Sequence, residues 1–133
     1  MPFVTDTHPL VYFTGGRHKK LSERVLKIFR RAEAGQEVIY IPVLVFMEID
    51  ILRRKGKIDL ADGGLALWVR ELLRYPGFVA QDVTLEILLE SIGRADIRDP
   101  IDSLIAATAR DLELQLITAD EQISESAGVE IYW

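Results

Sequence analysis

Four acids in this 133-residue chain stand where chemistry could be done. Asp6 follows the β-type run Phe3-Val4-Thr5, and Asp120 follows the run from Leu114 to Thr118. Each falls just past the C-terminal end of a strand, the edge at which open α/β sheets bind ligands. Asp102 lies in the first turn of a helix announced by Asp99-Pro100. Asp99 is a good N-cap, and Pro100 takes the first helical position, where its missing N–H costs nothing. Glu48 falls within the apolar run Val43 to Leu52, on one face with Leu44, Met47, Ile51 and Leu52. A carboxylate there is costly unless it is paired or holds a cation. Asp50 lies about 200° round that helix from Glu48 and is read as a surface or salt-bridged residue.

Gathering Asp6, Glu48, Asp102 and Asp120 at one point needs positive charge. Two unit charges at ~4 Å repel by roughly 1 kcal/mol in water and about 4 kcal/mol at an effective dielectric near 20. Several such pairs would threaten a fold whose net stability is about 5–15 kcal/mol. A divalent ion removes the difficulty. With oxygen ligands, no cysteine and two histidines, the donor set favours Mg²⁺ or Mn²⁺ over zinc. Such an ion keeps part of its water shell and stabilises charge on a phosphate. That is hydrolytic chemistry on a phosphodiester, with no covalent nucleophile.

The elements that must position these acids follow from periodicity and punctuation. Helical patterns cover His8 to Phe13, Leu21 to Ala34, Val43 to Lys55, Leu60 to Tyr75, Thr84 to Ile92 and the stretch after Asp99. Short strands are expected at 3–5, 38–41, 78–80, 114–118 and 129–133. Gly15 to Lys20 reads as a flexible basic loop, and Gly93 to Arg98 as a polar linker. Asp6 can also cap the helix that follows it. Strands alternating with helices imply a mainly parallel sheet with helices on both faces and right-handed crossovers.

Length and composition bound the rest. The size fits one domain, residues 1–133. Nearly half the residues are apolar (49%) and no low-complexity tract interrupts them, so a folded globule is expected. The absence of cysteine excludes disulfides and thiolate chemistry and is consistent with a reducing cytoplasm. No apolar run reaches the roughly 18–20 residues of a membrane span, and Met1 to Asp6 has no basic leader. A net charge of −5 argues against a general polyanion binder, though not against a nucleic-acid enzyme with a metal-bridged acidic pocket.

Taken together, Thr5-Asp6-Thr7-His8, Glu48 after Pro42, Asp102 to Ala109 and Thr118-Ala119-Asp120-Glu121 resemble a PIN domain. More narrowly, they resemble the VapC-type toxins of toxin–antitoxin pairs. The likeness covers essentially the whole chain. One departure is Pro9 after His8, where many relatives carry an apolar pair or Ala. The resemblance implies a three-layer α/β/α sandwich of PIN type and a metal-dependent endoribonuclease. It makes Asp6, Glu48, Asp102 and Asp120 the catalytic acids, with Mg²⁺ or Mn²⁺ on Asp6, Asp102 and Asp120. Glu48 would orient or deprotonate the attacking water or join the metal shell. Asp99, Thr118 and His8 are accessory candidates, and Arg17, Lys19, Lys20, Arg53, Arg54, Lys55 and Lys57 are candidates for the RNA backbone, which demands cations.

A homodimer and an inhibitory antitoxin are implied as well. The helices Leu21–Ala34 and Leu60–Tyr75, with Trp68 as anchor, are the expected interface. The principal alternative is a non-catalytic PIN-like interaction module, which should have lost at least one acid. A phosphoacceptor domain would want adjacent acids after the first strand and a late Lys, and a metal-free ribonuclease a His pair.

Overall fold

The structure, a computed structural model, describes residues 1–60, 62–94 and 96–133. Parts of the expected 60–75 helix and 93–98 linker, Ala61 and Ala95, lie outside the described residues. The centre is a sheet of five strands in the order β3-β2-β1-β4-β5, every described pairing parallel. The strands are β1 (Phe3–Thr5), β2 (Ile39–Pro42), β3 (Phe78–Gln81), β4 (Gln115–Ile117) and β5 (Ile131–Tyr132). Helices cover both faces, giving three layers. β1 lies in the middle, and all three of its residues are buried. That is why its sequence is a solid run rather than an alternation. Phe3 pairs with Ile39 on one side and Gln115 on the other, so β1 bridges elements distant in the chain.

Local chemistry sets the helix starts. In α1 (Thr7–Thr14), Asp6 is the cap, its Oδ1 accepting from the Thr7 N–H at 2.7 Å. Pro9 falls at the third helical position, where its missing N–H would have had no partner within the helix. α2 (Glu23–Glu33) begins two residues later than expected because the Ser22 hydroxyl takes the Val25 N–H, leaving Leu21 buried but outside the helix. α3 (Val43–Arg54) opens directly from Pro42. α4 spans Gly64–Leu72, shorter than the apolar pattern suggests. Gly63 and Gly64 have φ of 105° and 77°, a left-handed backbone that no earlier helical start can contain. α5 (Leu85–Ile92) is capped by Thr84. α6 (Pro100–Leu112) is capped by Asp99, which accepts from Ile101 and Asp102, and a last turn, α7 (Glu121–Ser124), is capped by Asp120.

Two expectations are corrected. Residues 15–20 are not a floppy loop: His18–Lys20 form a 3-10 turn. The His18 ring stacks on Phe13 with centroids 5.4 Å apart, and its Nε2 lies 3.1 Å from the Phe13 carbonyl oxygen. The spare apolar surface lies only partly where expected. α2 turns Val25, Ile28, Phe29 and Ala32 into this chain's own core, and Trp68 packs edge-on against Phe46 at 6.3 Å. α4 does keep Leu67 46% exposed, and further large apolar side chains face outward on α5, where Leu85, Leu89 and Ile92 are 64%, 57% and 69% exposed.

Candidate active site

The strand order reverses at β1, since its two neighbours, β2 and β4, lead away in opposite directions. Such a switch point opens a crevice at the C-terminal ends of the two strands. Asp6 ends β1 there and Thr118 ends β4, with Asp120 two residues on. α6 runs back antiparallel to β4, so its N-terminus and Asp102 arrive at the same edge. α3, leaving β2 from that edge, brings Glu48.

The side chains meet. One carboxylate oxygen from each of Asp6, Glu48 and Asp102 lies within 4.8 Å of the others. Asp6 is only 5% exposed, and both of its oxygens have donors: Thr7 N–H on Oδ1 and the Thr118 hydroxyl on Oδ2, each at 2.7 Å. Thr118 Oγ1 also accepts the Asp120 N–H at 3.0 Å, so one hydroxyl ties the β1 and β4 ends together. Asp120 is not in the close group. Its Oδ1 is occupied by the Ile123 N–H at 3.1 Å, although it shares with Asp6 a pocket of about 200 Å³. The geometry therefore gathers Glu48 with Asp6 and Asp102, where the family pattern led to Asp120 as the third ligand. Asp99 stays exposed, engaged in capping, and His8 is an exposed residue at the pocket's rim.

Electrostatics agree with the crowding. Burial, then the charges of Asp6, Asp99, Glu48 and Asp120, push the Asp102 carboxyl up to about 7. Burial also raises Asp6, against the hydrogen bonds of Thr118 and Thr7. None of Asp6, Glu48 or Asp102 forms an ion pair with a described residue. A compact set of unpaired carboxylates, at least one raised toward neutrality, is a donor set for a hard divalent cation.

A PIN-domain family model matches residues 3–129. The chain belongs to the PIN-domain family. That membership makes it a nuclease, a hydrolase acting on phosphodiester bonds. PIN-like solved structures share the fold over nearly their full length. A chain of VapBC2 from Rickettsia felis, bound to a DNA fragment from their promoter, aligns with a TM-score of 0.69. It has 14% identity, with 100% of this chain and 99% of that one covered. A toxin–antitoxin complex from Klebsiella pneumoniae gives 0.60 at 19% identity, covering 95% and 93%. FitAcB from Neisseria gonorrhoeae gives 0.61 at 18%, covering 98% and 96%. No curated protein matches the sequence.

The candidate cations divide. Arg53 and Arg54 are turned onto Asp50, at 2.6 and 2.8 Å. Arg17 and Lys57 line one cavity of about 510 Å³, which brings the 15–20 segment alongside the turn after α3 in this PIN domain. Two pocket residues escaped the sequence reading. Tyr12, on α1, and Trp133, directly after β5, line the space beside Asp6 and Asp120. Trp133 obeys the rule that singled out Asp6 and Asp120, since it stands just past a strand's C-terminal end.

Proposed function

We propose that this PIN domain is a divalent-metal-dependent endoribonuclease and the toxin of a VapBC-type pair. The observation that carries the reading is the trio Asp6, Glu48 and Asp102, with oxygens within 4.8 Å and no described cationic partner. Mg²⁺ or Mn²⁺ suits these ligands, with Asp120 at the edge of the site. When bound, the ion supplies Lewis-acid stabilisation of charge developing on the scissile phosphate. Thr118 and the Thr7 N–H fix both oxygens of Asp6 so that it stays aimed, and their hydrogen bonds oppose the upward push of burial on its carboxyl. Asp102, raised to about 7 without metal, would hold the ion in its ionised form, so that binding would be coupled to loss of its proton. Arg17, Lys19, Lys20, Lys55 and Lys57 are left to meet the RNA backbone, since Arg53 and Arg54 are committed to Asp50.

The partner assignment rests on the toxin–antitoxin complexes among the structural neighbours. A homodimer is proposed through the outward apolar side chains of α4 and α5, Leu67, Leu85, Leu89 and Ile92, and not through α2; a monomer by light scattering at tens of micromolar would remove it.

The decisive experiment is cleavage of a mixed RNA pool by purified protein, with and without Mg²⁺ or Mn²⁺, beside Asp102→Asn. Metal-dependent cleavage lost in the variant is expected. Absence of both cleavage and Mn²⁺ binding would overturn the reading in favour of a non-catalytic module.

A further inference from the structure

The pocket beside the acids is not itself acidic throughout. Asp6, Asp120 and Thr118 form one side, and His8, Tyr12 and Trp133 supply rings to the rest. At about 200 Å³ it holds the liquid volume of about seven waters, the scale of one planar heterocycle. Tyr12 and Trp133 are only half-buried, and the His8 and Tyr12 rings stand 6.1 Å apart and tilted by 50°. A guanidinium attends one aromatic wall: Arg17 lies over the Tyr12 ring at 5.5 Å. Rings around a one-base space, with a guanidinium beside them, are features by which proteins hold single-stranded nucleic acid without reading its sequence edge-on.

We infer that this pocket is a stacking subsite for one unpaired base of the RNA strand, with Tyr12 and Trp133 as its walls. The inference rests on the nuclease reading above and deepens it. A base seated here belongs to a nucleotide next to the phosphate held at Asp6, because Asp6 and Asp120 line the pocket themselves. Arg17 is placed to take a flanking phosphate. The substrate must then offer an unstacked nucleotide, as in a loop or a single strand, and a continuous duplex would be refused.

The test uses the full chain in an Asp102→Asn background, so that the strand stays uncleaved. Trp68→Phe leaves Trp133 as the only tryptophan of the two present. A mixed-sequence single-stranded hexaribonucleotide is titrated without added divalent metal, since this background is not expected to take up Mn²⁺. Its binding should quench Trp133 emission, and an abasic residue at one position, but not at the others, should restore it. Trp133→Leu should weaken binding about tenfold to a hundredfold, and Trp133→Phe by no more than about threefold, the range expected for losing or keeping a stacking face. Circular dichroism confirms that the Leu variant is folded; the Phe variant keeps the test alive if it is not. RNA binding with unchanged Trp133 emission, or equal affinity in the Leu variant, overturns the subsite and leaves the nuclease reading standing. Failure of the parent and every variant to bind any single-stranded RNA overturns both together.

Discussion

The two ends of α6 each collect acids, and they handle them in opposite ways. At the N-terminal end, Asp102 joins Asp6 and Glu48 with no described cation among them. Eight residues on, about 12 Å along the axis, Arg110 grips Glu90 of α5 with two hydrogen bonds, at 2.7 and 3.1 Å. Arg94 adds a third at 2.6 Å, and Ser126 links Arg110 to Asp96. Burial pushes Glu90 up, but Arg110 and Arg94 outweigh it and hold its carboxyl below the usual range. Asp96 is lowered too, first by the Ser126 hydroxyl. The same helix thus ends in a finished network and begins in an unfinished one. Where a fold can supply arginines to its buried acids and does not, the missing charge is left for a ligand.

The contrast can be broken at either end. Asp102→Asn should lower RNA cleavage by about a thousandfold, yet raise the melting temperature of the metal-free chain, because it removes a repelled charge. Arg110→Met should do the reverse. Cleavage by the folded protein survives, while urea unfolding shows a loss of roughly 2 kcal/mol, below the 3–5 typical of a fully buried broken pair because Glu90 is 34% exposed. Mn²⁺ at a hundred times its Kd should add about 2.7 kcal/mol to the parent and nothing to Asp102→Asn, read by calorimetry.

pH sharpens the comparison further. The folded chain binds the Asp102 proton more tightly than the unfolded chain does, so metal-free stability falls as pH rises from about 4 to about 7. Glu90 and Asp96 have the opposite sign: their contribution is present above the ordinary carboxylate range and is lost as pH drops through it. Thermal melts across pH 3 to 8 should therefore show a falling limb toward neutrality that shrinks in Asp102→Asn, where the raised Asp6 still contributes with the same sign, and that saturating Mn²⁺ suppresses. The smallest effect is expected at Arg54→Ala. Arg54 is 73% exposed and Asp50 keeps Arg53 as a partner, so no measurable change in melting temperature should follow.

Much of the fold was legible because punctuation and pattern agreed. Asp99-Pro100 and Thr84 cap helices where their chemistry demands, and β1, β3 and β4 are short runs ended by Thr5, Gln81 and Thr118. α3 was harder. It is apolar nearly all round, so periodicity cannot choose its inward face. Burial of the face shared by Glu48, Met47 and Ile51 was expected, but the core takes Val45, Phe46 and Ile49, while Met47 and Ile51 are 47% and 38% exposed. Glu48 reaches Asp6 from the edge of that face, so its place came from tertiary packing and not from the cost of burying a carboxylate. The apolar side of α5 was equally ambiguous, since a pattern of Leu and Ile does not say whether a neighbouring layer will cover it. The arginines of the Glu90 network come from α6 and from the segment just after α5, and meet a loop after α7, a juxtaposition with no local signature.

The hydroxyl bond from Thr118 to Asp6 joins residues 112 positions apart. Its consequence is one of timing. On the ribosome, β1 emerges first, but its partner β4 and the threonine that aims Asp6 are not yet translated. At typical elongation rates the interval is on the order of ten seconds. Throughout it, the nascent chain carries its first acid without the surroundings that make it reactive. A fragment released before residue 118 would keep Asp6 and Glu48 and still be inert. The nuclease centre cannot be assembled until its own message has been read nearly as far as the codon for Asp120.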